Sequence, residues 1–361
     1  MPGDHPLKLL RIVDANINRA AEGLRLLEDV ARLYLDDASL SQLLKELRHN
    51  LSQPPVEVQQ QLVRARDAAS DVGGIQAVET DERANLHAVV MANARRAQES
   101  LRTLEEMAKL PEAKPLLGWV DFKQARFAIY DLEQRLLAQL SRRQRLERLR
   151  GLYFIADSQA LAGREVEVAR QAIKGGAKVI QLRDKQRSKR ELLSLARELA
   201  RLCAQSGTLF IVNDHLDIAL AIGADGLHLG QDDLPIPIAR RLLPPDMILG
   251  WSTHSLEEAR LAAEQGADYI AVGTIYPSPT KPAARAVGPE LLKQVRQEVS
   301  LPLVAIGGIN ENNVVQVIEA GACAAAVISA VAGAGDPESA ARRLCQQIEA
   351  ADQSPGDSAT A

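Results

Sequence analysis

The stretch GGAKVIQLRDK, residues 175–185, decides the fold: a glycine pair, a short apolar run, then the polar groups Gln181, Arg183, Asp184 and Lys185. Glycine closes a helix in the left-handed conformation and the apolar run has strand length, so the unit reads as helix, glycine stop, strand. It recurs as GADGLHLG (223–230), GADYIAVG (266–273) and GACAAAVISA (321–330). From Gly151 onward, apolar runs alternate with helical stretches: LYFIAD, KVIQLR, LFIVND, GLHLG, ILGWST, YIAVGT, LVAIGG and AAVISA. Eight such units in about 200 residues predict an α/β fold, a parallel (β/α)8 TIM barrel, with a doubly wound open sheet as the alternative.

The first half is built differently. Residues 1–145 are rich in Ala, Leu, Arg, Glu and Gln and predict an all-α domain ahead of the barrel. Within it ANINRAAEGLRLLEDVARL (15–33) aligns without a gap with ANARRAQESLRTLEEMAKL (92–110). The alignment pairs Asn16 with Asn93, Arg19 with Arg96, Glu22 with Glu99, Arg25 with Arg102 and Glu28 with Glu105. One reading is a duplicated helical hairpin with an ion-paired surface. A sharper reading is a polar site between the repeats, where Asn16, Arg19 and Glu22, or Asn93, Arg96 and Glu99, step along one helix side; Asp67 and Asp71 fall in the intervening loop RDAASDVGG (66–74), a connector or a holder of metal or phosphate. The periodicity switches after the basic segment EQRLLAQLSRRQRLERLR (133–150), so a domain boundary is expected near 145. The barrel is then expected over 146–350 and a disordered tail over 351–361.

With 43 basic and 47 acidic residues, the chain lacks the broadly basic character of a nonspecific nucleic-acid binder. Cys203, Cys323 and Cys345 have neither disulfide-framework nor zinc-site spacing, which indicates a reducing cytoplasm. No apolar run approaches the roughly 20 residues of a membrane span, and MPGDHPLK lacks the apolar core of a secretory signal. The expectation is a cytoplasmic protein with small-molecule partners, no nucleic acid and no membrane; a homo-oligomer is left open.

A TIM barrel carries its chemistry where strands end in carboxyl-side loops. Strand two ends in Gln181, Arg183 and Lys185; strand three in Asn213 and Asp214; strand four in His228, Gln231, Asp232 and Asp233; strand five in Ser252, Thr253 and His254. Strand six leads to Ser278, Thr280 and Lys281, strand seven to Gly307 and Gly308, strand eight to Ile328 and Ser329. Any one of these alone reads as a cap or turn former; their convergence on one mouth points to a ligand site. Arg183 and Lys185 supply fixed cations, and Asp214 and Asp233 supply hard oxygen ligands through which Mg2+ would bridge to a diphosphate. That oxygen character favours magnesium over softer metals. AIGGIN and VISA can turn backbone N–H groups toward a second phosphate, so two phosphorylated partners are expected. His228, between Leu227 and Leu229, reads as structural or substrate-facing rather than as a general base, and His254 as a helix cap or supporting group.

Taken in order, QLRDK, ND, GLHLGQDD, WSTH, PSPTK, AIGGIN and VISA resemble the thiamine-phosphate synthase family over residues 150–350. The resemblance implies a transferase that joins hydroxymethylpyrimidine diphosphate to thiazole phosphate, giving thiamine phosphate and diphosphate. It implies that Gln181, Arg183, Lys185 and Asn213 bind the pyrimidine diphosphate, in a segment that includes Leu182 and Asp184. Asp214 and Asp233 would hold Mg2+, and Ser252 and Lys281 would complete the diphosphate pocket. Arg183, Lys185 and Lys281 would stabilise the departing charge. The loop Ser278, Pro279, Thr280, with Gly308, Ile328 and Ser329, would receive the thiazole phosphate. Many members carry Thr where Ser278 stands; the hydroxyl is retained. Asp184 is expected to pair with a neighbouring cation. The first half resembles the helical extension of some bacterial synthases, cyanobacterial ones included, which is associated with phosphorylating hydroxymethylpyrimidine phosphate. No GxxxxGK[ST] loop marks an ATP site. The alternatives are an amino-terminal half that is only a helical interaction module, and a barrel that binds thiazole phosphate without synthesis.

Overall fold

The computed structural model describes residues 5–66, 82–278 and 285–353. The chain divides into two units, Met1–Ser141 and Arg142–Ala361. Asp67, Asp71, Pro279, Thr280 and Lys281 lie outside the described residues.

In the first unit the two repeats fall on α1 (His5–Asp29), continued by a π-helical turn at Val30–Tyr34, and on α4 (Leu86–Met107). Between and after them come α2 (Ala38–Ser52), α3 (Val56–Ala65), a 3-10 turn at Lys114–Leu116 and α5 (Phe122–Glu147). Helical spacing gives α1 and α4 apolar faces, and Leu24, Leu27, Ala97, Leu101 and Leu104 are fully buried. Gly23 allows close contact: a Cβ there would lie 2.8 Å from the Asn93 carbonyl oxygen.

One pair of the repeated charges is structural. Glu28 accepts from Arg48 of α2 at 2.8 Å, and its mate Glu105 accepts from Arg126 of α5 at 2.7 Å. Each repeat thus sets its glutamate against an arginine of a later helix. Asn16 and Asn93 each donate to a carbonyl one turn back in their own helix, Ile12 and Val89, at 2.8 Å. Arg19, Glu22, Arg96 and Glu99 are exposed.

The second unit is a closed barrel of eight parallel strands in sequence order, which excludes the open sheet. Its strands are β1 (Gly151–Asp157), β2 (Val179–Arg183), β3 (Leu209–Asn213), β4 (Gly226–Leu229), β5 (Ile248–Thr253), β6 (Tyr269–Val272), β7 (Leu303–Ile306) and β8 (Ala324–Val327). β8 closes onto β1 through the register Gly151 to Ala324 and Phe154 to Val327. The helices are α6 (Ser158–Leu161), α7 (Glu165–Lys174), α8 (Lys189–Ser206), α9 (Leu216–Ile222), α10 (Ile236–Leu242), α11 (Leu256–Glu264), α12 (Gly288–Glu298), α13 (Val314–Glu319), α14 (Ser329–Ala332) and α15 (Pro337–Gln353). The last of these runs through residues 351–353, where a tail was expected to begin; residues 354–361 lie outside the described residues.

The period of two along each strand divides the core into layers. Outward residues such as Ile180, Leu182, Phe210, Val212 and Leu227 pack under the helices. Inward residues Tyr153, Val179, Leu209, Ile211, Ile248 and Tyr269 fill the barrel. Toward the strand ends the inward positions become polar: Gln181 and Arg183, Asn213, His228, Ser252.

The amino-terminal rim explains the repeated Gly-Ala-Asp units. Gly223 and Gly266 take positive φ, and the aspartate two residues later turns back onto the sheet. Asp225 accepts the Phe210 amide at 3.0 Å and Asp268 the Leu249 amide at 2.8 Å. Arg145 pairs with Asp225 at 3.0 Å and with Asp246 at 2.8 Å, while Asp268 lies between Arg142 (3.5 Å) and Arg240 (3.2 Å). Arg142 and Arg145 belong to this same unit, so these pairs are internal to it.

Candidate active site

At the opposite rim the inward polar side chains line a cavity of about 110 Å3. Gln181, Arg183, Asn213, Ser252, Ser278, Gly308, Ile328 and Ser329 all line it. So do His228, His254, Thr274 and Gly307. Gln181 donates to Asn213 Oδ1 at 3.4 Å, which joins the ends of β2 and β3. Arg183 is held by Asp157, 2% exposed at the end of β1. Because that one carboxylate occupies only part of a guanidinium with five donors, Arg183 is oriented with capacity left for an anion.

Lys185, Asp214 and Asp233 form the next group. Lys185 Nζ lies 3.8 Å from Asp214 Oδ2, and Asp233 accepts the Gly230 amide at 2.7 Å. Asp214 takes φ +62°, a left-handed conformation that Asp tolerates better than most residues. Burial and the neighbouring Asp233 carboxylate push the Asp214 carboxyl above its ordinary range, with Lys185 and Arg183 opposing them. Two carboxylates are therefore held together without full neutralisation.

Asp184 and Leu182 sit differently from the residues that flank them. Burial favours a neutral Asp184, but hydrogen bonds from the Arg187 and Gln186 amides, Ser158 and the Arg187 side chain outweigh it and hold its carboxyl well below the usual range. Asp184 pairs with Arg187 at 2.6 Å and clasps the β2 loop, which matches the expected ion pair. Leu182, 1% exposed, points outward into the layer under the helices. A one-residue step along a strand reverses the face, so its side chain does not reach the mouth.

Across the cavity, β7 ends in Gly307 and Gly308 with φ +102° and +65°. A Cβ on Gly308 would meet the Pro277 carbonyl oxygen at 2.5 Å, so this turn excludes side chains. Asn310 and Asn313 donate to the Gly308 carbonyl at 3.2 and 3.0 Å and brace it. Ser329 opens α14 beside it. His254 lies on the rim with Nδ1 3.3 Å from Glu258 Oε2, while Ser255 supplies the cap of α11.

Residues 152–331 match a family model described as thiamine monophosphate synthase, and residues 11–135 match the ThiD2 family. A thiamine-phosphate synthase of Thermosynechococcus vestitus is 40% identical over 96% of this chain and 97% of its own length. One from Synechocystis sp. is 41% identical over 95% and 97%. The chain belongs to the thiamine-phosphate synthase family. A solved thiamine phosphate pyrophosphorylase from Pyrococcus furiosus is 40% identical, with a TM-score of 0.53, covering 59% of this chain and 98% of that one.

As a thiamine-phosphate synthase the chain is a transferase of thiamine biosynthesis, acting on small molecules. Among the described residues no helix is long and apolar enough to cross a membrane. For such an enzyme the expectation passed over Asp157, because an aspartate ending a strand also reads as a helix cap, and Asp157 does accept the Ala160 amide at 3.0 Å. Strict alternation from Tyr153 and Ile155 would have placed it inward beside Arg183.

Proposed function

We propose that the barrel mouth binds hydroxymethylpyrimidine diphosphate against Gln181, Asn213, Arg183, Lys185 and Ser252, with Lys281 completing the set. In the same reading Ser278, Pro279, Thr280, Gly308, Ile328 and Ser329 receive the thiazole phosphate. The bond from the pyrimidine methylene carbon to the diphosphate oxygen breaks with its electron pair going to diphosphate, and the thiazole nitrogen supplies the pair for the new C–N bond. No enzyme nucleophile is needed. The protein's contribution is orientation and stabilisation of the departing charge by Arg183 and Lys185.

The observation that carries the reading is the charge balance. Arg183 and Lys185 stand against Asp157, Asp214 and Asp233, so the described groups alone do not attract a diphosphate. Asp214 and Asp233 suit a divalent cation: Mg2+ is bound by one or two carboxylates together with substrate phosphates rather than by an all-protein cage. Among the described residues no group of three or more His, Cys, Asp or Glu forms such a cage. When bound there, Mg2+ would neutralise phosphate charge and strengthen diphosphate as a leaving group.

We also infer that the helical unit phosphorylates hydroxymethylpyrimidine phosphate; the ThiD2 match over residues 11–135 supports this. Asn16, Arg19, Glu22, Asp67, Asp71 and the repeat mates Asn93, Arg96 and Glu99 remain its candidates. A cytoplasmic location accords with three unpaired cysteines. A homo-oligomer is compatible with this reading.

Purified full-length protein with Mg2+ and both phosphorylated substrates is expected to release thiamine phosphate and diphosphate in equal amounts. No product would leave the barrel as a non-synthesising binder. Replacing the pyrimidine diphosphate by its monophosphate plus ATP tests the helical unit: thiamine phosphate is expected, and its absence would favour an interaction module.

A further inference from the structure

A polar line descends from Ser252 into the closed interior of the barrel. Ser252 Oγ lies 2.9 Å from His228 Nε2, His228 Nδ1 lies 2.9 Å from the Tyr269 hydroxyl, and that hydroxyl lies 3.2 Å from the Tyr153 hydroxyl. The barrel makes room for it: a Cβ on Gly250 would lie 2.0 Å from the Tyr269 ring. Burial pushes both phenols well above their ordinary values, so each keeps its proton.

A hydroxyl has one proton and a neutral imidazole has one N–H, so the line can run in two directions. Run downward, Ser252 donates to His228, His228 to Tyr269 and Tyr269 to Tyr153. The Tyr153 proton then ends inside the buried apolar cluster of the barrel interior, to which Tyr153 belongs with Val179, Leu209 and Val304. Among the described residues that hydroxyl has no other partner. A buried donor left unsatisfied costs about 1–3 kcal/mol. Run upward, Tyr153 donates to Tyr269, Tyr269 to Nδ1, and Nε2–H to Ser252. The only proton left over is then on Ser252, which faces the cavity.

We propose that Tyr153, Tyr269 and His228 are positioning residues that orient this line upward, fixing His228 as its Nε2–H tautomer and committing the Ser252 proton to an anionic oxygen in the mouth. The identity of that oxygen, on the leaving diphosphate, rests on the synthase reading; the direction of the line does not. A donor held ready in this way needs no reorientation as charge develops on its acceptor.

The test is a two-bond 1H–15N spectrum of the histidine rings in 15N-labelled full-length protein without substrates, with His228 assigned through its contacts to the Tyr269 ring. The Nε2–H pattern is expected; an Nδ1–H or doubly protonated ring overturns the proposal. Tyr269→Phe removes the partner that selects the tautomer, so a mixture of tautomers is expected. Turnover is expected to fall about tenfold while KM for thiazole phosphate holds. A pure Nε2–H ring with unchanged turnover in that variant would also overturn it. An Nε2–H ring in a wild-type protein that makes no thiamine phosphate would support the line while faulting the synthase reading.

Discussion

The two rims of the barrel use the same residue types to opposite ends. At the amino-terminal rim Asp225 and Asp268 each accept a backbone amide and each pair with arginine. At the carboxyl rim Asp214 and Asp233 stand together with one lysine 3.8 Å away. Closed pairing leaves nothing for a ligand and holds the strands; incomplete pairing costs stability and leaves groups that a cation and an anionic substrate can satisfy. This division follows the general behaviour of the fold, in which chemistry gathers at one face and stability at the other.

The contrast is tested most severely at its closed end. Asp268→Ala strands the Arg240 and Arg142 charges and the Leu249 amide, and removing one partner of a buried pair costs about 3–5 kcal/mol. Denaturant unfolding is expected to show that loss, with kcat unchanged in the folded fraction. At the open end Asp214→Ala or Asp233→Ala is expected to lower turnover about 100-fold, equivalent to about 2.7 kcal/mol, without a comparable loss of folding. Steady-state kinetics beside a thermal melt separates the two rims. A smaller effect is expected at the glycine turn. Gly308→Ala places a Cβ 2.5 Å from the Pro277 oxygen at φ +65°, so KM for thiazole phosphate should rise about tenfold while KM for the pyrimidine diphosphate moves little.

The smallest effect has the opposite sign. Asp214 has a folded-state pKa raised by burial and by Asp233, so its contribution to stability is fully present below the unfolded carboxylate value and is lost as pH rises through the folded one. At neutral pH without magnesium its charge therefore opposes folding. Asp214→Asn should raise Tm slightly under those conditions, and the gain should shrink on acidification. Asp184 behaves inversely: its lowered pKa contributes stability above the unfolded carboxylate value, which is lost as pH falls through the folded one.

Much of this was legible because the signals are local. Parallel strands covered on both faces read as continuous apolar runs, and glycine stops mark where they begin, so KVIQLR and LFIVND announce the barrel. Polar residues that interrupt such runs at alternate positions, Gln181 and Arg183 among them, announce the mouth. What escaped depends on contacts between distant segments. Glu28 and Glu105 read only as an aligned pair in the repeat, and their partners Arg48 and Arg126 lie on other helices. Tyr153 and Tyr269 read as ordinary core, because only barrel closure brings their hydroxyls together across 116 positions of sequence. Leu182 lies between Gln181 and Arg183 in sequence, yet alternation turns it outward into the layer under the helices.

The most direct measurement is thiamine phosphate formation by the full-length protein and by Asp214→Asn as Mg2+ is titrated from limiting to saturating concentration. The account predicts steep magnesium dependence for the native protein and a variant that stays folded yet slow even at saturation. Equal rates for the two proteins at saturating magnesium would contradict it.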